Sequence, residues 1–198
     1  MNFLAHLHVV PDRPGLQLGG VLADLVKGPD VAGLPADVRA GVVLHRKVDA
    51  FTDRHPAVVR AVGRISAEWG WFSGIVLDIH FDHLLARTWP EWSAEPLREF
   101  ADRMYAVLRG GLELLPPDPR GFLAGVIDSD RLVAYGTVDG ITETLARTAR
   151  RIAARMPTRA LPLADAVPQL RRLEPELLAD FRAFYPALMA YATAAAEN

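Results

Sequence analysis

The spacing of apolar residues is the feature that most constrains the fold of this chain. Apolar side chains recur at helical spacing along almost the whole sequence, and Pro and Gly fall between these segments. The pattern predicts an all-α protein with helices at about residues 16–27, 36–53, 56–68, 72–88, 94–114, 119–135, 139–156 and 174–195. Pro56 and Pro175 suit first-turn positions, where a backbone N–H has no helical partner to lose.

Length and composition favour a single helical bundle. The chain has 198 residues, of which 51% are hydrophobic and 23% are charged, a balance typical of globular proteins. A chain of this length can bury roughly 70% of the surface that its unfolded form exposes. The connectors "GWFSG" and "LPPDPRG" are too short to be domain linkers, so we expect one domain over residues 1–198.

Charge and residue usage argue against several classes of function. A formal net charge of −2 gives no general basic field, so we expect neither nucleic acid nor a membrane as a partner. Cysteine is absent, which excludes disulfides and thiolate metal sites. The segment "MNFLAHLHVVPD" lacks the basic region of a signal peptide and the length of a membrane span. We therefore expect a cytoplasmic protein.

The segment "HRKVDAFTDRH", residues 45–55, is the first candidate for a functional site. His45, Asp49 and Asp53 follow i, i+4, i+8 spacing, which places their side chains on one face of the predicted helix. Imidazole and carboxylate groups are common metal ligands. An alternative stays open, because a solvated stripe of ion pairs gives the same pattern. Its cations would be Arg46, Lys47 and Arg54.

The segment "LDIHFDHLL", residues 77–85, is the second candidate. Asp78 and Asp82 are i, i+4 neighbours, His83 follows directly, and His80 points elsewhere on the predicted helix. The surrounding residues are strongly apolar, so we expect these carboxylates to face the interior, where burial is costly unless they are paired or bind a metal. A structural Asp–His or Asp–Arg pair between two helices is the alternative.

The third candidate is Asp24, within the apolar segment "GGVLADLVKG". Three helices that each direct such side chains inward can build a metal site in an α bundle. His6 and His8 could add a fourth wall, although a lone histidine is more often a satisfied polar residue. Donors without thiolate suit Mn²⁺, Fe²⁺ or Mg²⁺ better than a structural zinc. Such an ion assists phosphodiester cleavage, because it lowers the pKa of bound water and neutralises phosphoryl charge.

Five separated motifs give the chain a family resemblance. They are "MNFLAHLH", "LADLVKG", "HRKVDAFTD", "LDIHFDHLL" and "FYPALMA". Together and in this order they resemble the acyl carrier protein phosphodiesterase family, nearly from end to end. The resemblance implies an HD-domain-like, all-helical enzyme that hydrolyses the phosphodiester joining 4′-phosphopantetheine to a serine of acyl carrier protein. It also implies a divalent metal, usually Mn²⁺.

The resemblance also implies roles for individual residues. The family's polar motif positions fall on Asp24, His45, Asp49, Asp53, Asp78, Asp82 and His83. The expected metal ligands are Asp24, His45, Asp49, Asp78 and Asp82. The expected catalytic residues are Asp24, His45, Asp82 and His83; whichever of the two histidines is not a ligand would protonate the departing serine oxygen. The expected substrate and partner contacts are Lys27, Arg46, Lys47, Arg150 and Arg151. This chain departs from the family at Arg131, where a tryptophan is usual, and at Ala149, where a serine is usual.

A basic stripe in "ITETLARTARRIAARMPTR", residues 141–159, is the candidate partner surface. Helical spacing turns Ile141, Leu145, Ile152 and Met156 towards the core. It leaves Arg147, Arg150, Arg151 and Arg155 on or near the outward side. We expect this stripe to receive an acidic helix of the carrier substrate. Ordinary solvation of cations near a helix C-terminus is the alternative.

Two rival functions stay open at this point. One is an HD-like phosphohydrolase acting on a small-molecule or nucleotide phosphoester, because a fold does not determine the substrate. The other is a non-catalytic helical module that binds a partner. Metal content separates the second from an enzyme, since a stripe of surface ion pairs should not retain a metal through dialysis.

Overall fold

The computed structural model describes residues 1–156, 158 and 161–197, and most of them are helical. The α-helices are α1 (Phe3–Val9), α2 (Pro14–Leu22), α3 (Pro29–Ala32), α4 (Ala36–Arg54), α5 (Pro56–Trp69), α6 (Ser73–Arg87), α7 (Leu97–Gly110), α8 (Pro117–Asp128), α9 (Arg131–Ala134), α10 (Val138–Arg155), α11 (Val167–Arg172) and α12 (Glu174–Ala196). No β-strand occurs in these ranges, which confirms the predicted all-α bundle. None of the helices described combines the length and apolar composition needed to cross a bilayer.

Helix boundaries match the prediction where local capping signals set them. Helix α5 begins at Pro56, and the ring of His55 accepts a hydrogen bond from the N–H of Ala57 at 3.3 Å. Helix α10 begins after Thr137, whose hydroxyl accepts the N–H of Gly140 at 3.0 Å. Such caps satisfy backbone donors that the first helical turn leaves without a partner.

Other boundaries differ from the prediction. The helix predicted over residues 16–27 ends at Leu22, and the helix predicted over 119–135 is divided into α8 and α9. At this division Asp130 has a φ of 48°, a left-handed conformation that interrupts a right-handed helix. The short helices α1, α3 and α11 were not predicted, because four to seven residues carry too little periodicity.

Aromatic side chains of α6 and α12 lie at the centre of the core. The ring of Phe81 lies 5.4 Å from that of Phe181, which in turn lies 4.8 Å from Tyr185. All three side chains are fully buried, and aromatic pairs at these distances stabilise a core beyond their area burial. Helix α6 is therefore surrounded by other elements, so its polar side chains must find partners inside the protein.

Helices α2 and α4 cross in direct backbone contact. A Cβ atom on Gly41 would lie 2.3 Å from the carbonyl oxygen of Leu16 and 2.9 Å from the Cα of Gly19. Glycine is therefore required at this crossing, because any side chain would push the helices apart. The contact brings the end of α2 and the turn after it beside the middle of α4, where His45 lies.

Candidate metal centre

Three side chains from α1 and α4 converge on one point. His6, His45 and Asp49 each offer a ligand atom, and these atoms lie within 4.8 Å of one another. Both imidazoles are buried, whereas the Asp49 side chain is 41% exposed. The i, i+4 spacing on α4 aligns His45 with Asp49, as predicted, and α1 adds His6 from the other side. The arrangement is a candidate metal-binding group open to solvent on its carboxylate side.

The backbone of α2 fixes the orientation of the His45 ring. The Nδ1–H of His45 donates a hydrogen bond to the carbonyl oxygen of Gly20 at 2.7 Å. Because a carbonyl only accepts, this bond assigns the proton to Nδ1 and leaves Nε2 as the ligand atom. That atom lies 2.9 Å from Oδ2 of Asp49 and 3.4 Å from Oδ1 of Asp24. Metal-binding histidines are commonly oriented by such a bond from the second ring nitrogen.

His6 is buried without a hydrogen bond. Its ring stacks on that of His45 with centroids 4.0 Å apart, and its Nε2 lies 3.2 Å from Oδ1 of Asp49. In the part of the chain that the structure describes, neither ring nitrogen forms a bond of hydrogen-bond geometry. Buried polar groups are normally bonded, so an unsatisfied imidazole beside a carboxylate fits the role of a metal ligand.

The pKa shifts show that the cluster attracts a positive charge. Burial by itself lowers the pKa of His45, but hydrogen bonds to Asp24 and Asp49 outweigh it and raise this pKa to about 9. Burial would raise the pKa of Asp49, yet the neighbouring imidazoles of His45 and His6 hold it well below its usual value. Burial lowers the pKa of His6. Without a metal, one proton on His45 therefore balances the nearby carboxylates, and a divalent cation can take over that role.

The donor set fits a catalytic ion that keeps free coordination positions. Two imidazole nitrogens and one carboxylate oxygen are fewer ligands than the four of a closed structural site. Mixed nitrogen and oxygen donors of this kind suit Mn²⁺ or Fe²⁺ more than a dedicated calcium cage. Asp24 is close enough to the same histidine to contribute a further oxygen.

Asp24 lies beyond the end of its helix. The prediction that it sits on a helix is wrong, because α2 ends at Leu22 and Asp24 follows in a turn. Its side chain is 47% exposed, so its carboxylate can reach both the histidine and a molecule in the adjacent cavity. Burial raises the pKa of Asp24, but the hydrogen bond to His45 outweighs this and holds the pKa below its usual value.

Asp82 and Asp78 bind the start of the chain in this structure. Asp82 is fully buried and accepts hydrogen bonds from the backbone N–H groups of Asn2, Leu4 and Ala5, at 3.3, 2.8 and 3.3 Å. Asp78 accepts a bond from the amino group of Met1 at 2.8 Å. The two carboxylates thus hold α1, which carries His6, and they are not members of the three-residue group.

Three further histidines, His83, His8 and His80, are not members of the three-residue group. The Nδ1–H of His83 donates to the carbonyl oxygen of Tyr135 at 2.6 Å, and the Nδ1 of His8 forms a hydrogen bond with the hydroxyl of Tyr185 at 2.7 Å. His80 is buried with neither ring nitrogen bonded to any described residue, and burial lowers its pKa to about 3. It therefore stays neutral in the core.

The predicted basic contacts separate into surface residues and one cavity residue. Lys27 and Arg46 are exposed, the ammonium group of Lys47 lies 3.4 Å from the carbonyl oxygen of Ala195, and Arg150 pairs with Glu143 at 3.1 Å. Arg151 was predicted to lie on or near the outward side of the helix, but it contributes to the cavity wall instead. Its guanidinium lies 4.4 Å from the ring centre of Phe122, half-buried in a cavity wall, because its position on α10 faces α8.

A cavity of about 310 Å³ adjoins the candidate metal centre. Asp24 and Asp78 contribute to its wall on the side of the centre, and Arg131, Arg151 and Arg155 contribute cations. The rest of the wall is largely apolar. Ligand sites are typically concave, mostly apolar and furnished with a few polar groups, so this cavity is the candidate substrate site.

Two residues of this site carry only a weak signal in the sequence. His6 was considered only as one wall among several, although its helical neighbours in "FLAHLHV" already placed it on a short apolar segment. Arg131 was noted only as a departure from the family pattern. Arg131 is buried at the start of α9. This burial does not follow from the sequence pattern, because the pattern predicts one continuous helix across Asp130.

Comparison with known proteins is consistent over nearly the whole chain. The family model described as "Acyl carrier protein phosphodiesterase" matches residues 1–188. Proteins named acyl carrier protein phosphodiesterase are 36% identical over 197 residues in Shigella boydii and in Escherichia coli strain K12, covering 98% of each chain. The Yersinia enterocolitica protein of the same name is 32% identical over 193 residues, 97% of each chain. No solved structure matches the chain. The chain belongs to the acyl carrier protein phosphodiesterase family.

Proposed function

We propose that this protein is a hydrolase that cleaves the phosphodiester between 4′-phosphopantetheine and acyl carrier protein, giving apo-carrier and free phosphopantetheine. The names of the family and of its relatives support the reaction and the carrier substrate. The observation that carries the proposal for this chain is the orientation of His45. The Gly20 carbonyl holds its ring so that Nε2 faces the carboxylates of Asp49 and Asp24, and Asp24 lines the cavity.

The proposed cofactor is a divalent cation held by His6, His45 and Asp49, with Mn²⁺ the first choice and Mg²⁺ or Fe²⁺ the alternatives. A bound cation supplies Lewis acidity at the phosphoryl group and a lower pKa for water. The unbonded nitrogens of His6 and the raised pKa of His45 support this assignment, since both indicate a place suited to positive charge. Cytoplasmic location and the absence of a nucleic-acid partner stay predictions.

The residues around the centre divide the remaining work. Asp24 stays ionised at neutral pH and is exposed to the cavity, so its carboxylate can accept a hydrogen bond from the attacking water and orient it. Asp82 and Asp78 act indirectly, because they hold the helix that carries His6. His83 is bonded to the carbonyl oxygen of Tyr135, whereas the Nε2 of His45 lies beside Asp24, which lines the cavity. We therefore favour His45 over His83 for contact with the reacting group.

The test is mass spectrometry of purified holo-carrier before and after incubation with the protein and Mn²⁺. Loss of the phosphopantetheine mass, and recovery of the unmodified serine, are the expected result. Matched reactions contain a chelator or a generic phosphodiester. Cleavage of the generic diester with no action on holo-carrier would favour the small-molecule phosphohydrolase instead. No cleavage of either, together with no metal retained through dialysis, would favour the non-catalytic partner-binding module.

A further inference from the structure

The cavity contains a buried arginine without a counter-ion. Arg131 is only 6% exposed, and no carboxylate of the described residues lies within ion-pair distance of its guanidinium. Several surface arginines differ from it, since Arg98, Arg103 and Arg150 each contact at least one acidic side chain. A buried charge without a partner is costly. The position of Arg131 in the cavity wall therefore indicates a place for an anion that the protein itself does not supply.

Arg151 faces the same space from the neighbouring helix. Its guanidinium lies 4.4 Å from the ring centre of Phe122, and that of Arg131 lies 5.9 Å from the same ring. Arg151 also has no carboxylate partner at ion-pair distance among the described residues. Burial lowers the pKa of Arg151, and the charge of Asp24 acts against this. The two guanidinium groups thus lie near one aromatic ring in the cavity wall, to which Asp24 also contributes.

Much of the remaining cavity wall is apolar. It is lined by Phe3, Ile75, Ile79, Ile152 and Met156, and the hydroxyl-bearing Thr144 and Thr148 lie among them. A wall of this kind accepts a slender chain that alternates methylene and amide groups, because the methylenes bury apolar area and the few polar groups fix orientation. A cavity of about 310 Å³ is of the size that small-molecule sites occupy.

We propose that this cavity binds the phosphopantetheine arm of the substrate. Arg151 and Arg131 hold the oxygens of the phosphoryl group beside the candidate metal centre, and the apolar wall holds the pantetheine chain. Arginine suits this role because its planar donors bind phosphate oxygens in pairs. This inference rests on the proposed function, but it makes a claim that binding alone can test.

The test is isothermal titration of the Mn²⁺-loaded protein with free 4′-phosphopantetheine, with pantetheine and with inorganic phosphate. The variants are Arg151→Gln, Arg131→Gln and Arg109→Gln; the last removes the same charge from an exposed position on α7. We expect the first two to weaken phosphopantetheine binding by about tenfold or more and the third to leave it unchanged. Pantetheine, without phosphate, should bind more weakly to the wild type and be insensitive to both cavity substitutions.

Folding of the buried variant needs its own control. Thermal melting followed by circular dichroism checks each protein, and Arg131→Lys keeps a positive charge without the planar pair of donors. If Arg131→Gln does not fold, Arg131→Lys and Arg151→Gln carry the test, and both should still lose affinity for phosphopantetheine. Wild-type affinity in these two variants, or equal binding of pantetheine and phosphopantetheine by the wild type, would overturn the inference.

The same proteins separate this inference from the proposed function. If the wild type removes phosphopantetheine from holo-carrier while the arginine variants bind the free arm normally, the cavity assignment fails and the reaction stands. If the free arm binds in an arginine-dependent manner but holo-carrier is never cleaved, the reaction fails and the binding site stands.

Discussion

Helices α4 and α6 carry similar polar residues but use them differently. On α4, His45 gives one ring nitrogen to the backbone and turns the other towards Asp49 and Asp24. On α6, Asp82 accepts three backbone N–H groups, and His83 donates to a backbone carbonyl. The α4 carboxylate is about two-fifths exposed, whereas Asp82 is fully buried.

This difference shows what separates a ligand cluster from a structural one. A carboxylate whose oxygens already accept backbone N–H groups has few lone pairs left to bind an ion. A side chain that uses one atom for orientation and leaves another directed at its neighbours can bind an ion with little rearrangement. The two helices can therefore be told apart by the partners of each polar atom, and substitutions should distinguish them in size and kind of effect.

The largest effect is expected when the two histidines are compared. His45→Gln should lose metal through dialysis and lower the rate of holo-carrier cleavage by about 1000-fold or more, because a bound cation contributes several kcal/mol to the transition state. His83→Gln should retain the metal. Elemental analysis after dialysis and the mass-spectrometric assay measure the two quantities. Equal metal loss in both variants would place His83 in the centre and remove the distinction between the helices.

The next effect is on stability, and here the larger loss is expected for the residue on α6 rather than for the residue on α4. Asp82→Ala leaves three backbone N–H groups without an acceptor, so the free energy of unfolding should fall by about 2–4 kcal/mol. Asp49→Ala breaks a partly exposed pair and should lower it by about 1 kcal/mol or less when metal is absent. Urea unfolding in a chelating buffer measures both. A larger loss for Asp49→Ala would show that the α4 cluster is itself a structural element.

The pH dependence of stability sharpens the comparison further. Burial raises the pKa of Asp82 from 3.8 to about 7, although the charge of the Met1 amino group and the backbone hydrogen bonds act against it. Because the folded pKa exceeds the ordinary value, Asp82 contributes most below about pH 4 and loses this contribution as the pH rises to about 7, by about 1.4 kcal/mol for each pH unit.

Asp82→Asn cannot titrate and serves as the reference for this prediction. The unfolding free energy of the wild type minus that of the variant should fall between pH 4 and pH 7 and then level off. Using the difference cancels the other acids, including Asp49, whose depressed pKa acts with the opposite sign at lower pH. Parallel curves for the two proteins would contradict the raised pKa.

The smallest effect is expected at Asp53, one turn beyond Asp49 on α4. Its side chain is exposed, and an exposed charge interacts weakly through water and salt. Asp53→Asn should change the affinity for Mn²⁺ by less than about fivefold, measured by titration of the free ion. A loss far above this would add Asp53 to the ligands and extend the centre along the helix.

Much of the fold follows from the sequence, because it depends on local signals. The predicted helix over 36–53 is observed as Ala36–Arg54, and Pro56 starts the next helix as expected. The start of α1 could not be predicted in this way. Its first N–H groups bond to Asp82, which lies about 80 residues further along the chain, so the helix exists through a tertiary contact rather than through its own periodicity.

The sequence predicts where the candidate site lies on α4, but not which other residues belong to it. His45 and Asp49 follow from helical spacing alone, since both lie on one helix. Asp82 has an equally suggestive spacing, and only the folded structure shows which atoms it bonds. Arg150 and Arg151 are adjacent in sequence, yet one is exposed and the other faces the cavity. The two residues differ by about 100° around the helix axis. The predicted basic stripe places both of them on one side and therefore misses this difference.

The attachment of α1 has a consequence for local unfolding of the site. A helix of seven residues is too short to persist alone, so opening of its contact with Asp82 also removes His6 from the centre. The amide hydrogens of Leu4 and Ala5, which bond to Asp82, should then exchange with solvent at a rate set by this opening. An ion bound by His6 must slow that exchange, roughly 100-fold at a concentration 100 times its dissociation constant. The exchange rates of two backbone amides in a short helix thus show whether His6 is in place at the metal centre.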